Sequence, residues 1–453
     1  MATSQLFAVY CAAGIALAVW GVARAGQERS VSYIEASGSP YVLALVVAYS
    51  LQLAVVWFAA THQHFGAGQS WRSELPIPVV TRAMEYPDAI AGLLLALAAI
   101  ESALLYAIYR RRISNKVLYV GAAVVILCSW VSPAFISLDP YTYAAYAAMG
   151  RDAYNRHAVP MSGQYRVVSD AFATDGGVPR SPYGPLWLVL SGIVTRPFPT
   201  LVEQALAFRF VGTLALFALL AACKRLGFDT RMMAILALNP AIATQYVMNG
   251  HNDLLGIAAL AVGAAVLNRS KVFAVVSIAA AGLIKLPLAV VALPVFAAIK
   301  TPQIRVLCVF VTLMLVATCS MVGGGSEYVA ALAVHLPYAG FTGLLAAATS
   351  IAAAATIVSA LMNSRRFPSS VWLFPLAGSY PTPWYTFWGF GYAVGSRAAM
   401  EHLLIFLPIA AFVIDAMFIR IWTITLLMPA LIVWLLWATF ARWLGFYDRK
   451  RLQ

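Results

Sequence analysis

The chain has 453 residues, of which 62% are hydrophobic and only 10% are charged, and its mean hydropathy is +0.82. Soluble domains carry about 25% charged residues, so this composition excludes an ordinary soluble globular protein. The net charge of +13 does not indicate nucleic-acid binding, because the basic residues cluster in short loops between apolar segments. That distribution is the positive-inside pattern of a polytopic membrane protein, and it predicts that those loops, including 110–116, are cytoplasmic.

Long uncharged segments such as 41–60 and 117–135 are sufficient to cross about 30 Å of hydrocarbon as helices. Continuous apolar runs favour helices over a transmembrane β-barrel, whose strands would alternate. In chain order, the sequence predicts helices at 6–23, 41–60, 88–109, 117–137, 201–223, 232–248, 253–267, 272–299 with an interruption, 306–322, 340–361, 370–392, 400–418 and 421–441. The predicted fold class is therefore an all-α polytopic membrane protein with roughly 11–14 transmembrane helices.

The basic loop at 110–116 sets the predicted orientation. With this loop inside, the helix at 117–137 runs outward and delivers the polar segment 138–183 to the extracytoplasmic side of the cytoplasmic membrane. A polar loop of this length is usually functional. We predict three regions: N-terminal transmembrane helices at 1–116, a catalytic core at 117–392, and C-terminal helices with a basic cytoplasmic tail at 393–453. An interfacial helix is expected at 184–200.

Asp139 is the first candidate for chemistry. It follows the end of the outward-running helix, and a carboxyl group at the membrane interface suits a general base. An Asp-Pro pair at a helix end is also a common turn or cap. Asp152 and Asp253 are the alternative carboxylates for this role.

Aromatic and basic side chains follow Asp139 along the chain. Aromatic rings stack on sugar faces, and guanidinium groups bind phosphate in a bidentate manner. This combination is typical of a site for a sugar attached to a phosphate. The predicted substrate-binding residues of this segment are Tyr143, Arg151, Arg156, Arg180 and Tyr183.

Three further polar features interrupt apolar segments on the same predicted face. His251, Asn252 and Asp253 lie between two predicted helices, where binding of substrate competes with simple helix capping. Lys285 precedes Pro287 inside a predicted helix, and a lysine at membrane depth needs a partner or a cavity unless its chain reaches the interface. Trp384 and Tyr385 form either an aromatic belt or one wall of a lipid–sugar pocket.

Taken in order, these features resemble the GT-C superfamily of membrane glycosyltransferases, in particular the bacterial polyprenol-phosphate-mannose-dependent mannosyltransferases. The resemblance covers roughly 117–390 and departs from the family in placing Pro140, not a second acidic residue, after Asp139. It rests on the Asp139 region with Tyr143 and Gly150, on Ser181-Pro182-Tyr183-Gly184-Pro185-Leu186-Trp187, on Asn239-Pro240 with His251-Asn252-Asp253, on Lys285, and on Pro383-Trp384-Tyr385.

The resemblance implies an inverting transfer of a hexose, with mannose the expected sugar, from a polyprenyl-phosphate donor to a glycan or glycolipid acceptor. It assigns Asp139 as the base, and it gives Arg151, Arg156, Arg180 and Lys285 as candidates to neutralise the phosphate. No cofactor and no metal ion are expected, although a divalent cation is compatible with the motif. The expected partners are the lipid-linked donor, the acceptor and the bilayer, with no nucleic acid.

Two other classes of function remain open from the sequence. One is a transporter or flippase of lipid-linked sugars, which would often show internal repeats and charged broken helices; no repeat is evident, and the charge is concentrated in one loop. The other is a glycan ligase or polymerase that uses an oligosaccharide diphosphate donor. The five cysteines are scattered singly and indicate neither a metal site nor a disulfide framework.

Overall fold

A computed structural model describes residues 34–62, 79–80, 88–135, 137–155, 157–172, 176–285, 288, 301–325, 327–328, 387, 401 and 403–411. In chain order, the elements of these segments are β1 (Ile34–Ser37), α1 (Ser39–His62), β2 (Val79–Val80), α2 (Asp88–Tyr109), β3 (Arg111–Arg112), α3 (Asn115–Val131), β4 (Ala134–Phe135), α4 (Asp139–Met149), α5 (Arg166–Ala171), α6 (Pro185–Thr195), α7 (Leu201–Arg225), α8 (Thr230–Ala237), α9 (Pro240–Ile242), α10 (Asp253–Val266), α11 (Lys271–Ile284) and α12 (Pro302–Gly323). The segment Ala243–Met248 is a π-helical turn, called the π-turn below. Strands β1 and β3 form one parallel pair, and β2 and β4 form another.

The predicted all-α membrane architecture is confirmed. Helices α1, α2, α7, α10 and α12 lie close to their predicted bounds, and α6 occupies the segment predicted as an interfacial helix. Among the described residues, three helices are long and apolar enough to cross a membrane: Ser39–Ala60, Gly92–Tyr109 and Leu201–Arg225. The helices predicted at 6–23, 340–361, 370–392 and 421–441 lie outside the described residues, so the predicted total of 11–14 stays a prediction.

The helix predicted at 117–137 ends earlier, at Val131. Ser132 adopts an extended conformation, as expected for a residue that precedes a proline. The guanidinium group of Arg209, on α7, donates hydrogen bonds to the carbonyl oxygens of Ser129 and Trp130, at 3.3 and 2.5 Å. Because the last carbonyls of a helix have no partner within the helix, this buried arginine stabilises the C-terminus of α3.

The prediction of a single helix at 232–248 was also wrong, because the chain forms α8, α9 and the π-turn there. Helix α8 ends at Ala237, and Asn239 precedes Pro240 in an extended conformation. The Asn239 side chain accepts a hydrogen bond from the Ala241 N–H at 3.1 Å and so begins α9. The chain then continues as the π-turn, in which the Asn249 N–H donates to the Thr244 carbonyl oxygen at 3.0 Å.

The interruption predicted near Lys285 is confirmed. Helix α11 ends at Ile284, and Lys285 is extended. The freed carbonyl oxygen of Ile284 accepts a hydrogen bond from the Gly184 N–H at 2.8 Å. A Cβ atom at Gly184 would lie 2.0 Å from the Leu283 carbonyl oxygen, so only glycine permits this approach. The contact brings Tyr183 beside Lys285.

Two apolar clusters surround the polar centre of the molecule. One joins α1, α2, α7, α8 and α10, and it includes the fully buried Leu45, Leu105 and Leu219. The other joins α4, α5, α6 and α7, and it is rich in aromatic side chains. Helix α7 packs against both α4 and α10, so it holds the start of α4 close to the start of α10, where the predicted site residues lie.

Candidate active site

Asp139 is the first residue of α4 and lies at the centre of the site. Leu138, not Asp139, occupies the N-cap position of α4, and the Asp139 carboxylate instead contacts tyrosine and histidine side chains. Oxygen Oδ2 accepts hydrogen bonds from the Tyr143 hydroxyl at 2.8 Å and the Tyr183 hydroxyl at 2.9 Å, and it lies 2.8 Å from His251 Nδ1. The Asp139 side chain retains 17% exposure, whereas that of His251 has none.

The three partners of Asp139 come from three separate parts of the chain. Tyr143 follows Asp139 by four residues on the same helix, so it lies directly above the carboxylate on one face. Tyr183 belongs to the segment that docks on the end of α11. His251 follows Gly250, whose φ of +62° is readily adopted only by glycine. The sequence predicted all four residues, but the convergence on a single oxygen atom is a tertiary feature.

Aromatic packing fixes the orientation of the Tyr143 hydroxyl. The Tyr143 ring packs edge-on against the rings of Tyr183 and Trp187, each with a centroid distance of 4.9 Å, and against Phe208 at 5.3 Å. Its hydroxyl also accepts a hydrogen bond from the Asn252 backbone N–H at 3.4 Å. Edge-to-face pairs of this kind are typical of rigid aromatic clusters. Phe208 could not be predicted as a site residue, because a phenylalanine within an apolar helix carries no signal of a site.

The site holds Asp139 as a carboxylate. Burial by itself would raise the pKa of Asp139, but the charge and hydrogen bond of His251, the hydrogen bond of Tyr143 and the charge of Lys285 together lower that pKa to about 2. Burial and the negative charges of Asp139 and Asp253 raise the pKa of Tyr143 well above its usual value. Tyr143 therefore keeps its proton and donates it to the hydrogen bond with Asp139.

A buried ion pair lies beside the carboxylate. Lys285 Nζ is 2.9 Å from Asp253 Oδ1, and the two side chains are 5% and 0% exposed. The ammonium group also lies over the Tyr183 ring, 5.4 Å from its centroid. The interpretation of Lys285 as a residue that snorkels to the interface was therefore wrong. Asp253 is committed to this pair, which leaves Asp139 as the more exposed carboxylate of the site.

Asn252 lies between His251 and Asp253 in the sequence, and its side chain does not cap the helix that it precedes. It occupies the N-cap position of α10, yet its side chain makes no capping bond. Among the described residues, neither its Nδ2 nor its Oδ1 has a hydrogen-bond partner, although the residue is only 1% exposed. The capping interpretation of Asn252 was wrong, and substrate binding by its amide stays a prediction.

The remaining predicted site residues make other contacts or lie outside the described residues. The Arg151 guanidinium donates a hydrogen bond to the carbonyl oxygen of Met321. Arg180 contributes its carbonyl oxygen, which accepts from the Tyr146 hydroxyl at 3.4 Å. Asp152, an alternative carboxylate, is exposed. Arg156, Trp384 and Tyr385 lie outside the described residues.

Within the described part of the chain, no group of three or more His, Cys, Asp or Glu side chains has an arrangement that could hold a metal ion. A mechanism without a metal ion stays a prediction.

The sequence was compared with protein families, with curated proteins and with solved structures. Residues 45–302, more than half of the chain, match the family model described as "Alpha-(1->6)-mannopyranosyltransferase, N-terminal domain". The chain belongs to this family. Its members are GT-C-type mannosyltransferases, which confirms the resemblance drawn from the sequence motifs. No curated protein and no solved structure matches the chain.

The mannosyltransferase match includes every residue of the described polar cluster. Asp139, Tyr143, Tyr183 and Lys285 all lie within 45–302, as do the three consecutive residues 251–253. The chain is therefore a membrane glycosyltransferase that transfers mannose.

Proposed function

We propose that the protein is an inverting mannosyltransferase that uses a polyprenyl-phosphate-mannose donor and acts on the extracytoplasmic face of the membrane, with Asp139 as the general base. One observation carries this proposal: three donors engage a single oxygen of a partly exposed carboxylate, beside a buried lysine. An inverting transfer with a phosphate leaving group requires one base and one positive charge, and it requires no second carboxylate.

The base step uses the oxygen of Asp139 that the three donors do not engage. With Oδ2 bound by Tyr143, Tyr183 and His251, Oδ1 faces the incoming hydroxyl of the acceptor. The acceptor oxygen attacks the anomeric carbon while its proton passes to Oδ1. The bond between that carbon and the phosphate oxygen breaks, and the electron pair leaves with the lipid phosphate.

Lys285 supplies the positive charge for the leaving phosphate. In the absence of donor, its charge contributes to lowering the pKa of Asp139. A donor phosphate that pairs with Lys285 offsets this charge, so the pKa of Asp139 rises and the carboxylate becomes a stronger base. Donor binding thereby activates the base. Arg151, Arg156 and Arg180 remain the predicted additional phosphate ligands, and Asn252, Trp384 and Tyr385 the predicted contacts to the donor.

A lipid-linked donor suits the position of the site. The carboxylate begins α4, which packs on the first turns of α7, one of the helices able to cross a membrane. A donor anchored by a polyprenyl chain reaches such a position from within the bilayer, where a soluble nucleotide sugar does not.

The central test is mannose transfer by Asp139→Asn. We expect purified wild type to transfer radiolabelled mannose from polyprenyl-phosphate-mannose to an extracted glycolipid acceptor. Removal of the base should lower kcat by about 10²- to 10⁴-fold. The matched control is Asp170→Asn, which alters an exposed ion pair with Arg166 on α5. Full activity of the folded Asp139→Asn enzyme would reject Asp139 as the base, and absence of transfer by wild type would reject this donor.

The membrane orientation has an independent test. A single cysteine at Gln164 should react with a membrane-impermeant maleimide added outside intact cells, because the 138–183 loop is predicted to be extracytoplasmic. A single cysteine at Gly227, in the loop after α7, should react only after permeabilisation. The native cysteines are first replaced by serine. The reverse labelling pattern would place the site on the cytoplasmic face.

A further inference from the structure

The π-turn connects α9 to the segment that carries His251. All six of its residues are buried, and it packs between α3 and α7. The Asn249 N–H bonds to the Thr244 carbonyl oxygen, and the His251 N–H bonds to the Gln245 carbonyl oxygen at 3.4 Å. An α-helix turns by about 100° per residue, so the extra residue of a π-turn changes the direction in which the following residues point. The position of His251 therefore depends on this turn.

Two contacts hold the π-turn in its register. On one side, the Tyr49 hydroxyl of α1 lies 3.1 Å from Thr244 Oγ1 and 2.8 Å from Ser129 Oγ of α3. On the other side, α7 approaches so closely that a Cβ atom at Gly212 would lie 2.1 Å from the Tyr246 carbonyl oxygen. The Tyr49 hydroxyl is thus a polar contact that links the turn to α1 and α3.

The buried hydroxyls around Tyr49 form an ordered chain. Ser129 Oγ lies 2.8 Å from the Val125 carbonyl oxygen, to which it donates. Since that bond uses the Ser129 proton, the Tyr49 hydroxyl donates to Ser129 and accepts from Thr244. Each of the three hydroxyl protons is thus assigned to one acceptor, so the arrangement specifies a single conformation of the turn.

We propose that Tyr49 is a positioning residue: through Thr244 it holds the π-turn in the register that directs His251 to Asp139. This inference rests on the proposed function, because it concerns His251, which bonds to the proposed base Asp139 and lowers its pKa. Tyr49 is remote in sequence from every motif of the site, and its hydroxyl touches neither Asp139 nor His251 in the described contacts.

The test is a double-mutant cycle between Tyr49→Phe and His251→Gln. Tyr49→Phe removes the hydroxyl that bonds to both Ser129 and Thr244. Because a neutral hydrogen bond makes only a modest net contribution, this change should lower kcat by about 3- to 10-fold and leave KM for the donor unchanged. If Tyr49 acts through His251, the same substitution in the His251→Gln background should change kcat by less than about twofold. Thr244→Val, which removes the partner hydroxyl, should reproduce the effect of Tyr49→Phe, and the two should not add.

Tyr165→Phe is the matched control, because it removes a tyrosine hydroxyl that bonds to Gln204 at 3.1 Å, away from the π-turn. It should retain the wild-type kcat. Equal losses from Tyr49→Phe with and without His251 would overturn the positioning role, as would a change in KM alone or a fully active Thr244→Val enzyme. The outcome is separable from that of the proposed function, since wild type without mannose transfer refutes the reaction itself, while an active wild type with an additive cycle refutes only the inference.

Discussion

Two carboxyl groups, the partly exposed Asp139 and the buried Glu101, lie in very different surroundings. Asp139 begins α4, where three donors converge on one of its oxygens and a lysine lies nearby. Glu101 lies within the membrane-spanning part of α2, is 0% exposed, and has no hydrogen-bond partner for either oxygen among the described residues. The same functional group is thus stabilised as a charge in one place and left without compensation in the other.

The difference shows what an active site in a membrane protein requires. An ionised carboxylate without a partner in an apolar environment is strongly unfavourable. At Asp139 the fold offsets that cost with hydrogen bonds and positive charge, while leaving the carboxylate accessible. Burial alone therefore does not identify the base; the combination of partners and partial exposure does.

The largest expected effect comes from removing the cation beside Asp139. Lys285→Met leaves Asp253 buried without its partner, and breaking a buried ion pair costs about 3–5 kcal/mol. We expect a strongly lowered Tm in detergent and loss of mannose transfer. Lys285→Met combined with Asp253→Asn removes both charges and should recover most of the stability but none of the activity. Recovery of activity in the double variant would show that Lys285 serves only the fold.

A smaller effect is expected when Asp139 loses one of its donors. His251→Gln removes a charge that lowers the pKa of Asp139, so this pKa should rise from about 2 towards the ordinary value. A hydrogen bond to a charged group contributes about 1.5–3 kcal/mol, which corresponds to a roughly 10- to 100-fold loss of kcat.

The pH dependence follows from the sign of that shift. Because the folded pKa of Asp139 is lowered, its contribution to stability is complete above the unfolded value of about 3.9 and is lost as pH falls towards 2. In the wild-type profile of kcat/KM against pH, the acid limb that belongs to Asp139 should accordingly lie at lower pH than for an ordinary aspartate. In His251→Gln, this limb should move to higher pH. An unchanged acid limb would exclude Asp139 as the group that titrates.

The smallest effect is expected at Glu101. Because a buried polar group without a partner costs about 1–3 kcal/mol, Glu101→Met should stabilise the protein by a similar amount and leave kcat within about twofold. Leu105→Met, at a fully buried apolar residue of α2, is the control for packing changes. If Glu101→Met instead abolished transfer while the protein stayed folded, the contrast with Asp139 would fail, and Glu101 would have to be assigned a role in the reaction.

Sequence patterns predicted the candidate site more completely than they predicted the helices around it. His251 and Lys285 were identified because a polar residue between or within apolar segments has few structural explanations. Asp139 was identified as a carboxyl group at the end of an outward-running helix, and Tyr183 as an aromatic ring near arginines. The breaks at Ser132 and Asn239 were missed, although each precedes a proline, because hydropathy averaged over a long window conceals a local change of backbone direction. Tyr49 could not be predicted, since a single tyrosine in an apolar helix is usually only a packing residue.

The sequence by itself determined the membrane environment and the helical class, because both follow from the length and charge of apolar segments, and its motifs carried the resemblance to the mannosyltransferase family. Only the tertiary structure decided that Tyr143, Tyr183 and His251 share one oxygen of Asp139, and that Lys285 pairs with Asp253. Local sequence specifies the periodicity of each helix. The meeting of residues up to 112 positions apart depends on how the helices pack, and that in turn depends on close approaches such as those at Gly184 and Gly212.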